Sequence, residues 1–315
     1  MLVRAARSAV AALCVILVAC ADGISPAPRP SQLAYARWIT NENGSLLTSQ
    51  LYLIDADGGE PLPLDGEHRY ALSPSWSPDG DRLAFMRLTS GYYEIMIADV
   101  DDGSATPLPG GFNAQWPAWS PDGGRIAFSR NTGTPNQPVW DIFVIPSGGG
   151  TAVRLTNSSL DDGVFRVSYD AHPAWSPDGR RIAFVNARSG NAKLFVMNAD
   201  GTSPVQLTTG PGSDRDPTWS PDGQRIAFTG YRDNDVDIYS VKVDGSELRR
   251  LTNDPGAEYL PAWSPDGEFI AYTKVAELEQ VYVMRADGSE SRRVTPAHDV
   301  QSRVMDLNPA WRPRR

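Results

Sequence analysis

Three observations predict an all-β fold, a six-bladed β-propeller. The segment WSPDG recurs with its indole at Trp76, Trp119, Trp175, Trp219 and Trp263, and a degenerate sixth copy stands at Trp311. Each full copy is followed by the same short apolar strand, as in Leu83-Ala84-Phe85, Ile126-Ala127-Phe128 and Ile270-Ala271-Tyr272. Each unit then runs through an apolar strand that ends in a turn, such as LFVMNADG (194–201), and a last short strand ending in Leu-Thr or Val-Thr. Self-similarity at this period is the mark of a ring of small sheets, because one such unit cannot bury its apolar faces alone.

The pieces of the unit follow from turn chemistry. In Ser-Pro-Asp-Gly, proline presets φ at the second position, aspartate suits the third, and glycine takes the left-handed fourth. Asp-Gly between the last two strands is a hairpin signal. Each unit is therefore four antiparallel strands, a to d. The residue before each tryptophan is small (Ser75, Ala118, Ala174, Thr218, Ala262, Ala310), which leaves room for a large ring from the neighbouring unit. The six tryptophans read as packing residues. Leu33-Ala34-Tyr35 at the start lacks its a strand, and Trp311 at the end lacks its b to d strands. The two fragments complete one another, so the C-terminal strand joins the N-terminal blade and closes the ring without free edges.

The rest of the chain divides around this repeat. Residues 1–19 read as a lipoprotein signal peptide: Arg4 and Arg7 precede an apolar run of residues 9–19, too short to span a bilayer. Leu17-Val18-Ala19-Cys20 resembles a lipobox, which makes Cys20 the lipidated residue; Ala19-Cys20-Ala21 also fits an ordinary secretory cleavage site. Residues 20–31 carry this cysteine and a Pro-rich tether, and 32–315 form the propeller. Ala21 rather than Asp follows Cys20, which points to the outer membrane, periplasmic face. The only other cysteine is Cys14, which rules out a disulfide framework. A net charge of -9 argues against a nucleic-acid partner.

The pattern D-x-x-P-x-W-S-P-D-G-x-x-I-A-F, followed by I-Y-x-x-x-x-D-G and L-T, resembles the TolB-type, WD-like propeller repeat over about residues 32–315. The resemblance implies a periplasmic propeller that binds proteins at the cell envelope. It extends only to the propeller part of such proteins, which carry a further α/β domain in front, so it does not place the chain in the Tol–Pal system.

The face of the a–b and c–d turns is uniform, whereas the b–c and d–a loops vary. Insertions at 130–141 and 157–173 account for the 56-residue step from Trp119 to Trp175. Variable loops on a rigid frame are where binding resides. Five residues before the tryptophan stand Asp170, Asp214, Glu258 and Asp306; three before it stand Trp116, His172, Asp216 and Asn308, among others. With Tyr259 these make a candidate binding site at the channel mouth. An acidic ring there suits a basic partner segment or a hard cation such as Ca²⁺. The same acids equally suit hydrogen bonding to a neighbouring blade. Tyr92, Tyr93, Trp140 and Tyr231 join Trp116 and Tyr259 as aromatics of this face. His68, His172 and His298 belong to different blades without metal-ligand spacing, and Asp233, Asp235 and Asp237 lack the glycine and terminal glutamate of a calcium loop.

No nucleophile elbow, phosphate loop, dinucleotide fingerprint or HExxH is present. The reading is therefore a non-catalytic, monomeric envelope lipoprotein without a cofactor, which binds a protein or peptide through its loop-rich face and channel. The alternative is a metal-dependent propeller enzyme or carbohydrate-binding protein acting on sugar acids or polysaccharide.

Overall fold

Every WSPDG segment closes the same turn. In the first copy Ser77 Oγ donates to Asp79 Oδ1 at 2.5 Å and accepts the Arg82 N–H at 2.9 Å, while the Gly80 N–H donates to the Ser77 carbonyl at 2.8 Å. Ser120, Ser176, Ser220 and Ser264 build the same Ser–Asp bond in their turns. The glycine sits at a φ of 68° to 75° in all five, a conformation that other residues adopt only with strain. A Cβ on Gly123 would meet Pro78 at 3.2 Å, and one on Gly80 would meet Arg312 at 3.4 Å, so successive turns also touch around the ring.

The computed structural model describes residues 32–41, 46–64, 70–134, 138–158, 168–187, 190–298 and 303–314. The proposed signal peptide, Cys20 and the tether lie outside these residues, as does His68. All regular elements described are strands. The chain begins with β1 (Gln32–Thr40), β2 (Leu46–Asp55) and β3 (Leu62–Pro63), then β4 (Ala71–Trp76), β5 (Arg82–Thr89), β6 (Tyr92–Asp99) and β7 (Ala105–Phe112). Next come β8 (Ala114–Trp119), β9 (Arg125–Asn131), β10 (Val139–Pro146) and β11 (Val153–Arg154), followed by β12 (Ser168–Trp175), β13 (Arg181–Asn186), β14 (Lys193–Asn198) and β15 (Val205–Gln206). The last turns of the ring are β16 (Ser213–Trp219), β17 (Arg225–Arg232), β18 (Asp235–Lys242) and β19 (Arg249–Arg250), then β20 (Ala257–Trp263), β21 (Phe269–Val275), β22 (Glu279–Arg285), β23 (Arg292–Arg293) and β24 (Val304–Trp311).

Strands a to d pair antiparallel in chain order, and β24 pairs with β1, placing Leu33 opposite Trp311 and Arg37 opposite Asp306. The two chain ends thus share one sheet, β24-β1-β2-β3. The fold is an all-β propeller. The expectation of six separate sheets needs correction: among the described residues there are four four-stranded sheets and one of eight strands. The long insertions explain the difference. They bring Val139 and Trp140 of β10 alongside Ser168 and Tyr169 of β12 in a short parallel pairing that joins two four-strand sets.

The core lies between the sets. Ala34, Leu51 and Leu53 pack against Leu72, Trp76 and Phe85, and Val185 and Leu194 pack against Trp219 and Phe228. Trp76, Trp119, Trp175, Trp219 and Trp311 are buried, and Trp263 is half-buried. Trp76, Trp175, Trp219 and Trp311 donate Nε1–H to the carbonyls of Ala310, Ala118, Ala174 and Ala262 at 3.0–3.2 Å. Trp119 and Trp263 follow Ser75 and Thr218 instead, and their Nε1–H groups find no acceptor. The indole therefore reaches the neighbouring carbonyl only where the preceding set offers alanine.

The d strands mostly have two residues. Thr156, Thr208, Thr252 and Thr295 accept the backbone N–H groups of Ile142, Leu194, Ile238 and Val281, which ties the outer edges at β11, β15, β19 and β23 down beyond those short pairings.

Candidate functional site

The central channel is shaped by one backbone irregularity used six times. Ser73, Trp116, His172, Asp216, Leu260 and Asn308, three residues before each tryptophan, all have φ between 50° and 57°. The pairing between the a and b strands skips register at each of these points. A left-handed residue in a bulge re-aims its side chain. These six side chains, with Pro74, Pro117, Pro173, Pro217, Pro261 and Pro309 beside them, line a central space of about 140 Å³.

The bulge also corrects the expected acidic mouth. In a regular strand, residues two apart share a face. The left-handed residue breaks that alternation, so Asp170, Asp214, Glu258 and Asp306 are fully buried and do not line the channel. Three of them meet cations on the b strand. Asp306 accepts Arg37 Nε at Oδ1 and Nη2 at Oδ2, at 2.7 and 3.1 Å, and His298 Nε2 lies 2.6 Å from the same Oδ2. Asp214 accepts Arg232 Nη1 at 2.7 Å and lies 3.4 Å from Lys193 Nζ. Glu258 Oε1 lies 3.3 Å from Lys274 Nζ. Asp170 accepts Asn186 Nδ2 at 2.5 Å and Ser158 Oγ at 2.7 Å. These acids brace the sheets from within.

Glu258 differs from the other three. The one partner of its carboxylate is the Lys274 ammonium at 3.3 Å among the described residues, with no well-aligned hydrogen bond to either oxygen. Burial pushes its carboxyl up to about 7; Lys274 opposes the shift, and the carboxylates of Asp237 and Asp254 add to it.

The channel's chemistry gathers on one side. His172 Nδ1 lies 2.7 Å from Asp216 Oδ1, and Asp216 Oδ2 accepts Thr229 Oγ1 at 2.8 Å. Burial alone would raise the Asp216 carboxyl, but the His172 charge and these hydrogen bonds outweigh it and hold it below the usual range. His172 Nε2 lies 3.1 Å from the Tyr169 hydroxyl. The Trp116 ring stacks on His172 with centroids 4.1 Å apart, and Trp140 and Tyr169 close around it at 5.8 and 6.0 Å. Trp140 and Tyr169 sit on the parallel pairing of β10 and β12, so the junction of the eight-stranded sheet also builds this aromatic wall. Tyr169 lies in an insertion outside the repeat, so no repeat position marks it, although it stands three residues before His172.

The other expected residues are dispersed. Tyr259 donates its hydroxyl to Glu279, and burial together with that carboxylate pushes the phenol up. Tyr92 and Tyr231 are exposed at the rim. Asp235 and Asp237 both take Arg250, at 2.7 and 2.6 Å, so two of the three acids of the run share one guanidinium. Among the described residues no group of three or more His, Cys, Asp or Glu side chains is arranged to hold a metal ion.

A propeller with a uniform turn face and an individual ring of side chains in its channel is the class that fold and site define. The family profile described as TolB beta propeller domain matches residues 31–163 and 163–314. The chain belongs to this family. It is 33% identical over 154 residues to the Tol-Pal system protein TolB of Bordetella pertussis, a match covering 49% of this chain and 33% of that protein. It is 32% identical over 151 residues to the Protein TolB homolog of Chlorobium chlorochromatii, covering 48% of this chain and 31% of that one. The matched segment thus spans about a third of the length of these relatives. In fold the chain is similar to the crystal structure of TolB from Acinetobacter baumannii, with a TM-score of 0.73 and 22% identity over 90% of this chain and 67% of that one. It is also similar to an oligogalacturonate lyase in complex with manganese, with a TM-score of 0.56 and 18% identity over 86% and 82% of the two chains.

Proposed function

We propose that this chain is a non-catalytic, monomeric cell-envelope lipoprotein that binds a protein or peptide partner through its loop-rich face and channel. In this reading the twenty-four strands are six blades. The eight-stranded sheet is two of them, and an apolar packet fills each interface between consecutive sets. Cys20 carries the lipid and holds the protein at the periplasmic face of the outer membrane, with residues 21–31 as the leash.

One observation carries the reading. The repeat keeps its turns, tryptophans and proline ring nearly constant, yet places six different side chains at the six left-handed channel positions. Left-handed backbone costs a residue such as Trp116 or Leu260 about 1–2 kcal/mol. Six such positions with six side chains suit recognition of one asymmetric partner better than bracing a symmetric ring. Membership of the TolB propeller family supports the same location and role. The metal-dependent enzyme draws on the likeness to the manganese-bound lyase. Against it, both nitrogens of His172 face partners and Trp116 covers its ring.

The test is crosslinking in the native envelope. A photoreactive phenylalanine at Ser73 or Asn308 of the lipidated chain is expected to capture one discrete envelope protein, and the double change Trp116→Ala, Asp216→Ala is expected to reduce the yield at least tenfold. Capture of the same protein from Asp222, on the turn face, at equal yield would remove the channel from the reading.

A further inference from the structure

The b strands carry a second repeated seat, and one copy of it is incomplete. Arg37 lies over Tyr52 at 4.5 Å and Tyr35 at 5.6 Å and is paired with Asp306. Arg232 lies over Tyr239 at 4.6 Å and Phe228 at 5.7 Å and is paired with Asp214. Lys274 lies over Tyr282 at 5.8 Å and is paired with Glu258 and Asp254. Arg87, opposite Ala71 rather than an acid, takes Glu94 of the c strand at 2.7 Å. The seat is a cation held over aromatic rings and closed by a carboxylate.

Arg130 occupies the same seat without the carboxylate. Its guanidinium lies 4.9 Å from the Phe128 centroid, 5.0 Å from Phe143 and 5.3 Å from Phe112. The residue opposite it on the a strand is Ala114, fully buried. Asp141, opposite it on the c strand, is committed elsewhere: Oδ2 accepts Arg154 at 2.6 Å and Thr132 at 2.8 Å, and Oδ1 accepts the Ser158 N–H at 2.6 Å. Arg130 Nη2 donates to the Gly110 carbonyl, and the buried Nε has no partner. No carboxylate lies within ion-pair distance of Arg130 among the described residues. Burial pushes its guanidinium down, as expected of a cation that has lost solvent without gaining a counter-charge. Phe112, whose ring forms the outer wall, is 62% exposed.

We propose that the Arg130–Phe112 seat binds a carboxylate of a polypeptide partner, which completes from outside the ion pair that its sister seats complete within the chain. A guanidinium edge recognises a carboxylate with charge-assisted hydrogen bonds, and the exposed ring beside it favours an apolar group next to that carboxylate. The carboxylate comes either from a chain terminus or from an acidic side chain. The inference rests on the reading of the loop-rich face as the partner face. Its test uses small probes, so its failure is separable from failure of the envelope crosslink.

The experiment titrates the full chain in detergent micelles with N-acetylphenylalanine, its neutral amide, and N-acetylglutamic acid α-amide, while following the Arg130 Nε–Hε resonance. A saturable shift is expected with at least one carboxylate and none with the neutral amide. The relative affinities of N-acetylphenylalanine and the glutamate probe distinguish a terminal from a side-chain source. Arg130→Gln, followed through the Phe112 ring resonances, removes the cation. Ala114→Asp supplies the missing acid from within, as Asp214 and Asp306 do. Each is expected to weaken binding at least tenfold, and because they act by opposite means, a folding failure in one leaves the other to decide. An equal response to acid and amide, or full affinity in either folded variant, overturns the proposal.

Discussion

At the residue scale one buried carboxylate shapes how stability responds to pH. Glu258 is held up to about 7 by burial, so the folded protein grips its proton more tightly than the unfolded chain does. Such a group stabilises the fold below the ordinary glutamate range, and that contribution is lost as pH rises from about 4.5 towards 7. Glu258→Gln, which cannot ionise, is therefore expected to flatten this slope and to make the protein more stable at pH 8 by on the order of 1–3 kcal/mol. Urea unfolding at pH 5 and pH 8 checks it, and a variant less stable than the parent at pH 8 would show that the Lys274 pair outweighs the burial cost. The cation seats are legible in the sequence: Arg37, Arg87, Arg130 and Lys274 each stand two residues after the b-strand aromatic. In the fifth unit Gly230 takes that place, and Arg232 reaches in from two residues further on. A Cβ at 230 would come within 2.6 Å of the Arg232 guanidinium and 2.5 Å of the Tyr239 ring, so the glycine clears its path.

At the element scale, the strands and their order follow from turn chemistry and alternation, both printed in the sequence. The a-strand bulge does not. Left-handed residues are usually announced by glycine, asparagine or aspartate, yet four of the six positions hold Ser73, Trp116, His172 and Leu260. Plain alternation, blind to the bulge, places the buried acids and the channel residues on one face. The cost of the bulge can be measured. Leu260→Asn, matching Asn308 at the equivalent position, is expected to raise stability by about 0.5–1.5 kcal/mol through relief of that strain. A loss of stability would mean that Leu260 contributes more by packing in the channel than it costs in backbone strain. The pairing of β10 with β12 was equally hidden, because it depends on where two long insertions meet in space and not on the pattern of either strand.

At the scale of the whole molecule, closure is the feature on which cooperativity rests. β24 supplies the innermost strand of the first sheet, and Trp311 fills the packet between Leu33 and Ala271. A chain ending at Gln301 loses both and exposes the β1 edge and the last sheet together. It is expected to unfold at a much lower temperature, with a broadened transition and self-association. A sharp transition at the parent temperature would show that the ring does not need its clasp. The clasp also sets an orientation. Gln32 accepts the Arg312 N–H through its carbonyl and bonds that residue's guanidinium through its side chain, while Arg312 in turn donates to the Gly80 carbonyl. The chain therefore enters its first strand on the side of the WSPDG turns, opposite the variable loops. If residues 20–31 moor the protein to a bilayer, the mooring line leaves from the repetitive underside, and the Trp116–His172 wall stays clear of it at the far end of the channel.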